Sequence, residues 1–125
     1  QYSGLGDLIG NAVASANLPI VLVAFIVAAL VRICVGSATV AMTMAAGIIA
    51  AMPGISELPP LYLACVVAAV AGGSTVCSHF NDSGFWLVRS LVGVDEKTNL
   101  KTWTIMETLV GFSGFVVAFI ISLFV

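Results

Sequence analysis

A chain of 125 residues that is 61% hydrophobic and 8% charged, with a net charge of −2, lacks the polar residues a water-facing surface needs. That balance excludes a basic nucleic-acid-binding face, and three cysteines inside apolar runs argue against a disulfide framework. Uncharged runs at 8–31, 33–56, 58–81 and 108–125 approach the roughly 20 apolar residues that cross a bilayer, so an all-α integral membrane chain is expected.

Residues 1–17, with Gly4, Gly6, Gly10 and Asn17, read as a loop or an amphipathic approach to the membrane. Because the chain opens on Gln1 with no basic stretch before its first apolar run, it reads as a fragment or a processed product. Leu18-Pro19 opens an apolar helix running to about Val35, with Arg32 near its end. Gly36-Ser37-Ala38-Thr39 interrupts the pattern, a second apolar stretch runs from Val40 to Met52, and Pro53-Gly54 ends it. The two stretches are roughly 26 and 21 Å long as helices, each short of a hydrocarbon core of about 30 Å. A re-entrant helical hairpin over 18–52, turning at Gly36–Thr39, fits those lengths better than one long span.

Leu61–Val76 reads as an Ala- and Val-rich helix whose Ala71-Gly72-Gly73-Ser74 stretch permits close packing. Polar residues 78–84 break it, and Phe85–Leu91 resumes, which predicts a broken transmembrane helix over 61–91. Residues 92–101 form the most charged loop, and 104–125 the last transmembrane helix. Arg89, Lys97 and Lys101 around that loop place it on the cytoplasmic side by the positive-inside rule. The three cysteines, Cys34, Cys65 and Cys77, read as small thiols buried in helix packing.

The chemistry concentrates at the two interruptions. Gly36, Ser37 and Thr39 offer backbone groups and hydroxyls at a turn between helix ends, which suits a carboxylate. The plainer reading of that turn is a small-residue packing motif. Arg32, one turn earlier, is a charge partner for an anionic substrate or for Asp82, unless it snorkels to an interface. His79, Asn81, Asp82 and Ser83 supply dense donors and acceptors for a polyhydroxylated ligand, and Asp82 suits reversible proton uptake. Asn-Asp-Ser-Gly turn chemistry alone is the plainer account of this cluster. Glu107 is a second candidate for proton coupling or, more simply, a carboxylate near a helix start. Trp103 reads as an interfacial anchor. No metal or other cofactor is expected, since one His and scattered Cys lack zinc-ligand spacing. A membrane-embedded enzyme using His79 and Asp82 as acid and base is the rival from another class, although no nucleophile elbow accompanies them.

Three stretches together resemble the bacterial gluconate permease family: Gly36-Ser37-Ala38-Thr39-Val40-Ala41; Ser78-His79-Phe80-Asn81-Asp82-Ser83-Gly84-Phe85-Trp86; and Lys101-Thr102-Trp103-Thr104 with Glu107-Thr108. Order and spacing agree from about Leu18 to the end, and the likeness is to the carboxy-terminal part of such permeases. It implies a polytopic secondary transporter, not an enzyme, importing gluconate or a related aldonate with protons across the bacterial inner membrane, with transport of another organic anion as the alternative. It also implies an inverted repeat whose upstream half is missing from this chain, a lipid bilayer around it, and a homo-oligomer as one assembly. By position, Ser37 and Thr39 become hairpin-tip ligands, and His79, Asn81, Asp82 and Ser83 ligands of an unwound helix.

Overall fold

The structure, a computed structural model, describes residues 4–125, so residues 1–3 of the predicted amino-terminal approach lie outside the described residues. All the regular elements described are helical. Helix α1 spans Leu5–Ala16, where a loop or an amphipathic approach was expected; Asp7 sits in its first turn, and the glycines do not interrupt it. After Pro19, whose fixed φ suits a helix start, α2 runs Ile20–Val35 and α3 runs Ala38–Ala50, with only Gly36 and Ser37 between them. Leu18 and Ile20 line the same cavity as Met52 and Pro53, so the chain folds back and the two helices lie side by side.

A short 3₁₀ turn, Ile55–Glu57, leads to α4, Pro60–Thr75, with Pro60 in its first turn where a missing N–H costs nothing. Residues 76–82 are irregular, and α5 follows over Ser83–Val92, closed by Gly93. Then α6 (Glu96–Asn99), a π turn (Leu100–Thr104) and α7 (Ile105–Ser122) run on as one helix. Helical structure therefore begins at Glu96, inside the expected loop. Asp95 caps it by accepting from the Thr98 N–H at 3.1 Å. Those hydrogen bonds from Thr98 hold the exposed Asp95 carboxyl below its usual pKa.

The 27-residue helix from Glu96 to Ser122 is long and apolar enough to cross a membrane, whereas α2, α3 and α4 are shorter apolar helices. The core lies where α4 packs between α2 and α7, with α3 against the α2 side. Val21, Ala24, Ala28, Ala69, Phe115 and Ala118 are buried there, and Phe25 stacks on Phe115 with ring centroids 4.2 Å apart. Small residues make the approach close. A Cβ at Gly72 would stand 2.6 Å from the Gly111 carbonyl, and one at Gly73 would stand 2.8 Å from the Ala28 Cβ. Such small-residue crossings are how helices associate where lipid removes the hydrophobic drive. Outside the core, Leu30, Leu61, Val67, Leu91, Leu109 and Val110 are all more than half exposed, giving the fold an apolar exterior. Cys65 is buried and Cys77 half-buried, but Cys34 is exposed, contrary to a uniformly packed set of thiols.

Candidate functional site

The break between α2 and α3 and the irregular stretch between α4 and α5 meet. Gly36 closes α2 with φ 79°, in the left-handed region that favours glycine, and its N–H donates to the Arg32 carbonyl at 2.8 Å. A Cβ there would overlap the backbone carbonyl of Asn81, so the lack of a side chain lets the second segment press on the first. The contact is sealed from the other side, where the Asn81 side-chain amide donates to the Ile33 carbonyl at 2.9 Å.

Charge sits at this junction. Arg32, 2% exposed, donates through Nη2 to Asp82 Oδ2 at 2.7 Å and through Nη1 to the Gly36 carbonyl at 2.6 Å. Its Nε is buried without a partner. Asp82 is the N-cap of α5: Oδ1 accepts from the Gly84 N–H at 3.0 Å, while Oδ2 also accepts from the Ser78 hydroxyl. An aspartate is among the strongest N-cap residues because its carboxylate meets the free N–H groups of the first turn. Here the same carboxylate serves both as cap and as counter-ion. Glu107 lies half-buried in the first turn of α7 and forms no ion pair with Arg32.

The other residues singled out from sequence sit around this pair rather than in it. The Ser37 hydroxyl caps α3 by accepting from the Val40 N–H at 3.4 Å, and Thr39 is exposed on the first turn of α3. His79 donates from Nδ1 to the Cys77 carbonyl at 2.8 Å, which leaves Nε2 free to accept in the neutral ring. Ser83 is exposed at the start of α5. Arg32, Gly36, Asn81 and Asp82 are thus brought together, with His79, Ser37, Thr39 and Ser83 near the same two breaks along the chain.

Sequence reasoning missed what holds the 76–82 segment. Ser78 is fully buried; its hydroxyl accepts from the Trp103 indole N–H at 2.9 Å, and its carbonyl accepts from the Thr104 hydroxyl. The Cys77 N–H donates to the Thr108 hydroxyl at 3.0 Å, and Cys77 itself adopts φ 58°, a strained value for a side-chain-bearing residue. Trp103 is therefore a hydrogen-bonding partner of the segment and not merely an interfacial anchor. The available signal was the Lys101-Thr102-Trp103-Thr104 stretch itself, whose polar and indole groups precede an apolar helix.

Comparison with known proteins places these residues in context. A family profile described as GntP family permease matches residues 1–124. The low-affinity gluconate transporter of Escherichia coli strain K12 is 45% identical over 120 residues, covering 94% of this chain and 26% of that protein. A gluconate permease of Pseudomonas aeruginosa is 41% identical over 97% of this chain and 26% of its own length. The Gnt-II system L-idonate transporter of Escherichia coli strain K12 is 38% identical over 90% of this chain and 25% of its own length. The chain thus spans about a quarter of the length of the curated relatives it matches. No solved structure matches it.

Proposed function

This chain belongs to the GntP family of permeases, hence to membrane proteins, and from that premise we propose that it forms part of a secondary transporter importing gluconate or a related sugar acid by proton symport. We place that transporter in the bacterial inner membrane as a multi-pass protein. In this reading 18–52 is a re-entrant hairpin, 61–91 a broken transmembrane helix and 104–125 lies within the last span. The rest of a longer permease, and another copy of it, complete the assembly. The observation that carries the reading is the buried Arg32–Asp82 pair where two interrupted helices meet. Interrupted helices at membrane depth serve transporters as binding sites because their free backbone groups face a ligand.

The pair suggests how a proton and an anion are coupled. With the site empty, Arg32 and Asp82 balance one another. A proton on Asp82 neutralises it and releases Arg32, whose cation then takes the sugar-acid carboxylate together with the backbone groups at Gly36, Ser37 and Thr39. The occupied and empty sites carry the same net charge, so neither moves an unbalanced charge through a low-dielectric region. Asn81, His79 and Ser83 meet the sugar hydroxyls, and Glu107 receives or hands on the proton. Because proton and anion cross together without net charge, accumulation is driven by the proton concentration gradient, at about 1.4 kcal/mol per pH unit.

The test is uptake of labelled gluconate by the full-length permease in proteoliposomes with an imposed proton gradient. Symport predicts uptake that collapses when the gradient is dissipated, and uptake indifferent to the gradient defeats it. Full gradient-driven uptake by Asp82→Asn would remove Asp82 from the coupling role. Competition by L-idonate and other aldonates then ranks the substrates, and preference for an unrelated organic anion would replace gluconate with that class.

A further inference from the structure

We propose that Trp103 is a positioning residue for the Asp82 carboxylate, acting through Ser78. The inference rests on Asp82 belonging to the transport site but concerns a residue on a different helix, with no hydrogen bond to the pair itself. An indole N–H can only donate. Because Trp103 Nε1 donates to Ser78 Oγ at 2.9 Å, the Ser78 hydroxyl accepts there, and its single proton is left to point at Asp82 Oδ2. The direction of the whole chain is thereby set: Trp103 to Ser78, Ser78 to Asp82, with Arg32 donating to the same carboxylate oxygen.

Two neighbours fix the frame in which this happens. Thr104 donates to the Ser78 carbonyl and Thr108 accepts from the Cys77 N–H, so one face of the last helix holds consecutive residues of the irregular segment. Trp103 and Thr104 fall within the π turn Leu100–Thr104, where the helical ladder widens. Such turns are rare and frequent at functional sites. The Thr102 hydroxyl supports the turn by donating to the Thr98 carbonyl at 2.8 Å. Ser78 is completely buried, and without the indole donor its hydroxyl becomes free to rotate away from Asp82.

The experiment uses the full-length permease in proteoliposomes, comparing Trp103→Phe, Ser78→Ala and the double variant, with thermal stability in detergent recorded for each. Trp103→Phe is expected to lower gradient-driven gluconate uptake about tenfold. The double variant is expected to match Ser78→Ala within about twofold, because the indole acts only through that hydroxyl. Wild-type uptake by Trp103→Phe, or single effects that multiply in the double variant, would overturn the proposal. A second measurement stands whether or not gluconate is the substrate. The indole N–H resonance of Trp103, identified by its loss in Trp103→Phe, is expected to shift in Asp82→Asn through the Ser78 hydroxyl. A resonance unmoved by Asp82→Asn would overturn the positioning role, whereas absent wild-type uptake with a shifted resonance would overturn only the transport reading.

Discussion

The two interruptions in this fold are built in opposite ways. The first, at Gly36 and Ser37, takes only two residues and is stabilised by its own helices: a left-handed glycine closes α2 and a serine hydroxyl opens α3. The second, residues 76–82, is longer, and its few local bonds, such as the Asp82 N–H to the His79 carbonyl and the His79 ring to the Cys77 carbonyl, both at 2.8 Å, are joined by others from distant helices. It is held by side chains from elsewhere: Arg32 on α2, and Trp103, Thr104 and Thr108 on the last helix. A short break can be written in a few adjacent residues. A long one depends on its surroundings, so changes in those surroundings reach it first.

The largest test of that contrast is Arg32→Met, which removes the charged link between the two breaks and leaves the Asp82 charge buried without its partner. Stripping one member from a buried pair costs about 3–5 kcal/mol. Arg32→Met is expected to lose detectable uptake and to melt markedly lower in detergent. Combining it with Asp82→Leu should restore most of the melting temperature while leaving uptake absent, which separates the pair's structural role from its proposed transport role.

A smaller effect is expected at the first break. Gly36→Ala adds a left-handed backbone cost of about 1–2 kcal/mol to an overlap with Asn81, whereas Gly54→Ala, with φ 78° but nothing within 4 Å, carries the backbone cost alone. Equal melting temperatures for the two variants would mean that the segments do not press together at Gly36. Weaker again is Thr108→Val, which leaves the Cys77 N–H without its acceptor at a cost of about 1–3 kcal/mol. Faster hydrogen exchange at the 77–78 amides, with α3 unaffected, is the expected signature of a break supported from outside.

Asp95→Asn, remote from both breaks, should have the smallest effect. Because Thr98 lowers the Asp95 pKa in the fold, the cap's contribution is complete above the ordinary aspartate value of about 3.9 and fades as pH falls through the lowered one. Exchange at the Thr98 amide should rise over that acidic window in the wild-type protein and show no such window in the variant.

The same contrast explains what was legible in the sequence. Gly36-Ser37 announces its break in adjacent letters, and the bounds of α2 and α3 follow from Pro19, Gly36 and the Pro53-Gly54 stop. The interruption after α4 is visible too, in the run of polar residues that follows Val76. Its fastenings are not, because the Trp103–Ser78 and Thr108–Cys77 contacts join residues 25 and 31 apart, and no local periodicity encodes them. Local composition also misled at two places. Gly4, Gly6 and Gly10 left a loop as one of two readings, beside an amphipathic approach, where α1 forms, and the charges at 95–97 suggested a loop where Asp95 starts a helix. In the first case glycines that weaken a helix on average were overruled by their neighbours. In the second, Asp95 is a helix N-cap followed by two good helix formers, Glu96 and Lys97.

The crossing of α4 with α7 at Gly72 and Gly111 has a further consequence for motion. Each glycine lies where the other's backbone carbonyl fills the space a methyl group would need. Two surfaces in backbone contact have no side chains to act as a cushion, so turning one helix about the other would first require prising them apart. With Gly73 bringing α4 equally close to α2, these three helices form a single stiff plank. A motion that shifts α3 or α5 against these helices would bend the chain at its two breaks.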